Sequence, residues 1–121
     1  MTASDEQQVR ETVLDYFEGW FDADAPRMDR ALHAELVKRW VGDARTAFGP
    51  VLTKQRMLEL TAAGEGGDER GPTDVEVVDV HQDMALARAV GGPYREYLQL
   101  LRTAGGWRIV GALWQYESEQ R

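Results

Sequence analysis

The sequence predicts an α+β domain: helices first, then a curved mixed or antiparallel sheet. Three observations carry this. Apolar residues keep helical spacing through much of the chain up to Thr61, whereas runs rich in branched and aromatic residues dominate from Thr73 to Tyr116. Those later runs are separated by short turn signals, His81-Gln82-Asp83 and Gly105-Gly106. Strands joined by such turns run antiparallel, which excludes a doubly wound parallel sheet. Finally, 121 residues with no internal repeat and no boundary make one domain over 1–121, large enough to bury roughly two-thirds of its unfolded surface.

Ser4 followed by Gln7 has capping-box spacing, and Val9, Val13, Tyr16, Phe17, Trp20 and Phe21 then share one arc of a helix ending near Asp22. Asp24 caps a second, short helix with Pro26 in its first turn and Met28 and Leu32 on its inner side. Leu36 to Val41 alternates as a strand, and Thr46 to Leu52 is its short partner across Gly42-Asp43. Thr53 caps a third helix carrying Met57, Leu58, Leu60 and Thr61. Gly64 to Pro72, with four glycines and four charges, reads as a mobile surface loop. Two long strand pairs follow: Thr73–Val80 with Met84–Gly91, then a C-terminal hairpin.

That hairpin sets the expected faces. With Gly105-Gly106 as its turn, Tyr97 faces Trp114, Gln99 faces Ala112 and Leu101 faces Val110. These six form the expected inner face. Leu98, Leu100, Ile109, Gly111 and Leu113 form the outer one, an apolar patch whose simplest cover is a second copy of the chain. Glu96 shares that outer face and is placed at the edge of the dimer.

Composition excludes several classes. A net charge of −7 argues against a nucleic-acid binder, which needs a basic stripe, and against docking to anionic membranes. No apolar run spans a bilayer, and the acidic N-terminus is unlike a secretion signal. The lack of cysteine removes disulfides and thiol chemistry, so a cytoplasmic protein is expected. Twelve arginines stand against two lysines, Lys38 and Lys54, with no asparagine, a bias associated with GC-rich bacterial genomes. The serines, Ser4 and Ser118, lie at the two ends, so no Ser-His-Asp triad is expected, and His33 and His81 lack metal-ligand spacing. No metal and no cofactor are expected.

The order of elements, the Asp-Ala-Asp-Ala segment at 22–25 and Gly-Gly-Trp-Arg-Ile-Val at 105–110 resemble the nuclear-transport-factor-2-like superfamily, over essentially the whole chain. That group includes ketosteroid isomerases, SnoaL-like cyclases and lumazine-binding domains. The resemblance implies a cystatin-like cone, a sheet wrapped around helices with a small apolar ligand in its mouth, and dimers through the outer sheet face. By the same resemblance, Tyr16 falls at the isomerase's oxyanion tyrosine and Tyr97 at its protonated aspartic acid. Val110, Ala112 and Trp114 fall at its apolar wall. Trp40 falls where the general base belongs, and an indole accepts no proton.

Two functions follow from these residues. The first is binding of a small apolar, carbonyl-bearing or aromatic ligand, with Trp20, Trp40, Met57, Val110, Ala112 and Trp114 as lining and Arg88 as an anchor for an anionic group. The second is an isomerase, cyclase or dehydratase using Tyr16 and Tyr97 as donors and His33 as acid or base.

Overall fold

In the computed structural model, which describes residues 4–42 and 48–117, the helices begin at the capping residues the sequence supplies. Ser4 Oγ accepts from Gln7 N at 3.1 Å to open α1 (Asp5–Asp22), and Asp24 Oδ1 accepts from Arg27 N at 3.1 Å to open α2 (Ala25–Ala31). Thr53 Oγ1 does the same for Arg56 N at 3.2 Å, opening α3 (Lys54–Ala62). Each hydroxyl or carboxylate satisfies an amide that the first turn leaves without a partner.

Six strands accompany them among the described residues: β1 (Leu32–Trp40), β2 (Val51–Leu52), β3 (Thr73–His81), β4 (Met84–Gly91), β5 (Tyr94–Thr103) and β6 (Gly106–Tyr116). Their order across the sheet is β2-β1-β6-β5-β4-β3, antiparallel throughout except that β1 runs parallel to β6. The sheet is mixed, curved and unclosed. No helix among the described residues is long and apolar enough to cross a membrane.

Two boundaries differ from expectation. The first strand starts at Leu32 rather than Leu36, so Leu32 and His33 open β1 and do not belong to α2. The expected strand from Thr46 is observed as Val51–Leu52 only, and residues 43–47, with half of the expected Gly42-Asp43 turn, lie outside the described residues.

The larger difference is register. The hairpin turn is Ala104-Gly105, so Thr103 pairs with Gly106. Thr103 fixes it, its Oγ1 accepting from Gly105 N at 3.1 Å and donating to Gly106 O at 2.8 Å, while Gly106 takes φ +117°, a conformation that favours glycine. A bulge then intervenes where Gln99 pairs with Gly111 but Leu100 pairs with Ile109, leaving Val110 as the extra residue. Gln99 Oε1 lies 2.5 Å from where a Cβ on residue 111 would stand, which makes glycine the residue that fits beside it.

The bulge shifts the phase of β6, so strict alternation fails there. Ile109, Ala112 and Trp114 all face the helices, opposite Leu100, Leu98 and Glu96 respectively. Tyr97, Gln99, Leu101 and Val110, expected inside, lie on the other face with Leu113. Leu98, Leu100 and Ile109 are correspondingly core residues and not part of any outer patch. Burying three such side chains favours this arrangement by about 1.5–3 kcal/mol each. Neighbouring β4 agrees, since Ala85, Ala87 and Ala89 point inward while Leu86 and Arg88 point out. Beyond these small residues, Gly91 lies so close to α1 that a Cβ there would stand 2.4 Å from the Phe17 ring.

The 64–72 segment lies mostly at the surface, as the loop reading has it, but it is anchored at Gly66, which is buried. It contains a 3₁₀ turn (Gly67–Glu69), and a Cβ on Gly66 would lie 2.3 Å from Trp20 Nε1. Glycine here lets backbone rest directly on an indole.

Candidate functional site

Three elements bring one ionisable side chain each to the same point under the sheet. Helix α1 supplies Tyr16, β1 supplies Lys38 and β5 supplies Glu96. Tyr16 Oη donates to Glu96 Oε1 at 2.7 Å, and Lys38 Nζ donates to Glu96 Oε2 at 3.2 Å and to Tyr16 Oη. Only 2% of Glu96 and 7% of Lys38 reach solvent. The ammonium also sits 5.0 Å from the Tyr16 ring centroid and 5.2 Å from that of Trp114, within cation–π range.

These three residues line a small cavity of about 10 Å³ together with Trp20, Phe48, Met57, Tyr94 and Trp114. That is room for at most one water. Phe48 fills the aromatic side, 5.6 Å edge-on from Trp20 and 6.2 Å from Trp114 between ring centroids. The indole N–H of Trp114 is buried without a hydrogen-bond partner among the described residues, although the side chain forms part of the cavity wall. A second chain of hydrogen bonds runs outward from the wall: Trp20 Nε1 donates to Tyr94 Oη at 3.3 Å, and Tyr94 Oη donates to Glu69 on the 3₁₀ turn.

Burial dominates the electrostatics. It lowers the Lys38 ammonium from its ordinary range, although the Glu96 charge pulls the other way. It raises the Tyr16 hydroxyl well above its ordinary value, reinforced by the Glu96 charge and hydrogen bond. Tyr94 is raised as well, first by burial and then by its bond to Glu69. The site therefore holds two protonated hydroxyls and an amine whose charge the surroundings disfavour. Facing a ligand, Tyr16 and Lys38 can donate to a carbonyl or anionic oxygen, and Glu96 can accept from an N–H or O–H.

Of the residues singled out from sequence, Tyr16, Trp20, Met57 and Trp114 line this cavity. Ala112 is buried but is not among its lining residues, and Trp40 packs against Trp114 at 4.9 Å, its ring also meeting Tyr116. Four do not converge there. Tyr97 is 53% exposed on the outer face, because β5 alternates without interruption and its inner face is the one carrying Glu96, Leu98 and Leu100, and Val110 is the bulge residue of β6. Arg88 lies outside too, its Nε 2.7 Å from Glu76 Oε1. His33, in β1, accepts from Glu35 N at 3.0 Å through Nδ1 and does not line the cavity.

Lys38, Glu96, Tyr94 and Phe48 were not anticipated. Alternation in Leu36-Val37-Lys38 already puts Lys38 beside buried Leu36, and Glu96 already shares a face with Leu98. The missing information was which face is inner.

The outer face carries its own groove, an open concavity of about 570 Å³ lined by Val37, Val78, Leu86, Tyr97 and Leu113, with Arg39 and Arg88 among its polar residues. Among the described residues, no group of three His, Asp or Glu side chains is placed to hold a metal ion.

The sequence model of the family described as "Putative lumazine-binding" matches residues 4–115. No curated protein matches the sequence. Among solved structures, a nuclear-transport-factor-2-like protein of unknown function from Silicibacter pomeroyi superposes with a TM-score of 0.69 at 16% identity, covering 92% of this chain and 94% of that one. A ketosteroid isomerase-like protein from Erwinia carotovora atroseptica gives 0.67 at 17%, covering 98% and 100%. A relative of the same fold from Novosphingobium aromaticivorans, described as cystatin-like, gives 0.68 at 19%, covering 96% and 84%. At such identities the likeness is one of fold.

Proposed function

Because the chain belongs to the family described as "Putative lumazine-binding", we propose that it is a small-molecule-binding domain whose site is the cavity where Tyr16, Lys38 and Glu96 meet. The observation that carries this is the burial of a lysine and a glutamate in an otherwise apolar and aromatic core. Removing two charges from water costs several kcal/mol each, and an apolar pair of similar volume would serve stability as well or better. Perturbed ionisable groups at a cavity are the usual mark of a functional site.

The ligand is a planar aromatic or apolar molecule bearing a carbonyl. Trp20, Trp114 and Met57 offer flat apolar walls, Lys38 and Tyr16 offer donors, and Glu96 offers an acceptor. Lumazine, which the family description names, is a flat bicyclic molecule with ring carbonyls and ring N–H groups, the same chemistry. At about 10 Å³ the cavity admits such a ring only when the Phe48 side chain swings aside, and the ligand then takes its place between Trp20 and Trp114. Isothermal titration with lumazine and 2-naphthamide tests this. Tyr16→Phe and Glu96→Gln should each weaken binding by roughly 10- to 100-fold, the worth of a hydrogen bond to a charged group. Absence of binding, or binding indifferent to both changes, refutes the assignment. Isomerase, cyclase or dehydratase chemistry resting on Tyr16, Tyr97 and His33 loses two of its three groups, since neither Tyr97 nor His33 lines the cavity.

The outer sheet face is an interface with a second copy of the chain. Its supporting observation is the groove of Val37, Val78, Leu86, Tyr97 and Leu113, five large apolar side chains about half exposed on one concave surface. The cysteine-free composition fits work in the cytoplasm.

A further inference from the structure

We propose that Lys38 is an imine-forming residue, its amine condensing with the carbonyl carbon of an aldehyde or ketone ligand in the Tyr16–Glu96 cavity. The inference rests on that cavity being the ligand site and names its substrate class. The geometry supplies the three groups such a condensation needs. Lys38 Nζ is the nucleophile, Tyr16 Oη is a proton donor within hydrogen-bond reach, and Glu96 Oε2 at 3.2 Å is a proton acceptor. Trp20 and Trp114 give the carbonyl's substituent an aromatic wall once the Phe48 side chain swings aside.

Lys54, the other lysine, is a built-in contrast. It sits at the surface end of α3, its ammonium held by Asp29 Oδ1 and the Leu32 carbonyl, each at 3.0 Å. No hydroxyl or cavity accompanies it among those partners. Lys38 is buried, and burial lowers its ammonium from the ordinary range.

The steps balance within the cluster. One ammonium proton of Lys38 passes to the Glu96 carboxylate, freeing the lone pair. The amine attacks the carbonyl carbon as the C–N bond forms, and the carbonyl oxygen takes the Tyr16 proton. Tyr16 recovers a proton from the attacking nitrogen, leaving a neutral carbinolamine. Protonated Glu96 then gives its proton to the departing hydroxyl, the C–O bond breaks, and water leaves. The iminium cation ends beside a carboxylate, as the ammonium began, so the local charge is unchanged from start to finish.

The test uses wild-type protein with 2-naphthaldehyde and sodium cyanoborohydride near pH 7.5, read by intact mass and peptide mapping. Lys54 and the α-amine serve as comparators in the same molecule, so no variant has to fold. Lys38 should acquire one naphthylmethyl group, saturably with aldehyde concentration and suppressed by 2-naphthamide, which cannot form an imine. At limiting aldehyde, Lys38 should be labelled before Lys54. Labelling confined to Lys54 and the α-amine, while 2-naphthamide still binds by calorimetry, overturns the imine and leaves the binding site standing. Unsaturable labelling of Lys38 that 2-naphthamide does not suppress also overturns it. If neither label at Lys38 nor binding of 2-naphthamide is seen, both this inference and the site itself fail.

Discussion

Replacing Lys38 by methionine removes the ammonium that faces Glu96 and leaves a carboxylate, 2% exposed, with the Tyr16 hydroxyl as its remaining partner among the bonds described. At 3.2 Å and an effective dielectric constant of 20, the lost attraction is about 5 kcal/mol. Breaking one side of a buried pair ordinarily costs about 3–5 kcal/mol, because the surviving charge has nowhere to go. Glu96→Gln should cost a similar amount by stranding Lys38. The double variant Lys38→Met/Glu96→Gln removes both charges while the glutamine oxygen still accepts from Tyr16, so it should be less destabilised than either single. The coupling energy is then at least about 3 kcal/mol, large against a total stability of roughly 5–15 kcal/mol. Urea unfolding followed by tryptophan emission and far-ultraviolet circular dichroism measures all four corners of the cycle. Additivity within about 0.5 kcal/mol would refute the reasoning, since charges that do not sense each other are not sharing a dry cavity.

The same cluster sets a pH dependence. The folded-state pKa of Lys38 is lowered from 10.5, so between the folded and unfolded values the unfolded chain binds more protons and stability rises with pH. Tyr16 is raised above 10.0, so its contribution is lost only as pH climbs past 10. Urea midpoints should therefore increase from neutral pH towards pH 10 in the wild type, and the increase should shrink in the Lys38→Met/Glu96→Gln double variant. On the outer face, Leu113→Asp should weaken self-association by roughly 100-fold, since a charge is desolvated at the groove, and light scattering coupled to gel filtration reads the change. Gly66→Ala forces a Cβ against Trp20 Nε1 and should cost about 1–3 kcal/mol in urea unfolding, with a red shift of tryptophan emission as the 3₁₀ turn lifts.

Much of the fold was legible because it rests on local signals. The caps at Ser4, Asp24 and Thr53 are single side chains answering amides three residues away, and all three open helices as expected. The apolar arc of α1 needs nothing beyond its own period, and its Val9, Val13, Tyr16, Phe17, Trp20 and Phe21 are all buried. The site was half legible for the same reason: Tyr16 and Trp20 are set by α1, Met57 by α3. Lys38 and Glu96 were hidden because the inner face was not identified, and a charge is ordinarily a mark of the solvent side.

What the sequence determined by itself is therefore the list of elements, their order and the α+β class, all of which follow from periods and caps within one segment at a time. Tertiary structure alone decided which face of β5 and β6 is inner. Alternation has period two, so one extra residue exchanges core and surface, and neither the Ala104-Gly105 turn nor the Val110 bulge announces itself in a hydrophobic pattern. The choice was made across strands. The small side chains of Ala85, Ala87 and Ala89 can lie under the helices, whereas Leu86 and the Arg88–Glu76 pair cannot, and the pairing of Ala87 with Leu98 and Arg88 with Tyr97 carries that preference into the hairpin. Packing turned Tyr97 outward and Glu96 inward, and so brought Glu96 to Tyr16 and Lys38.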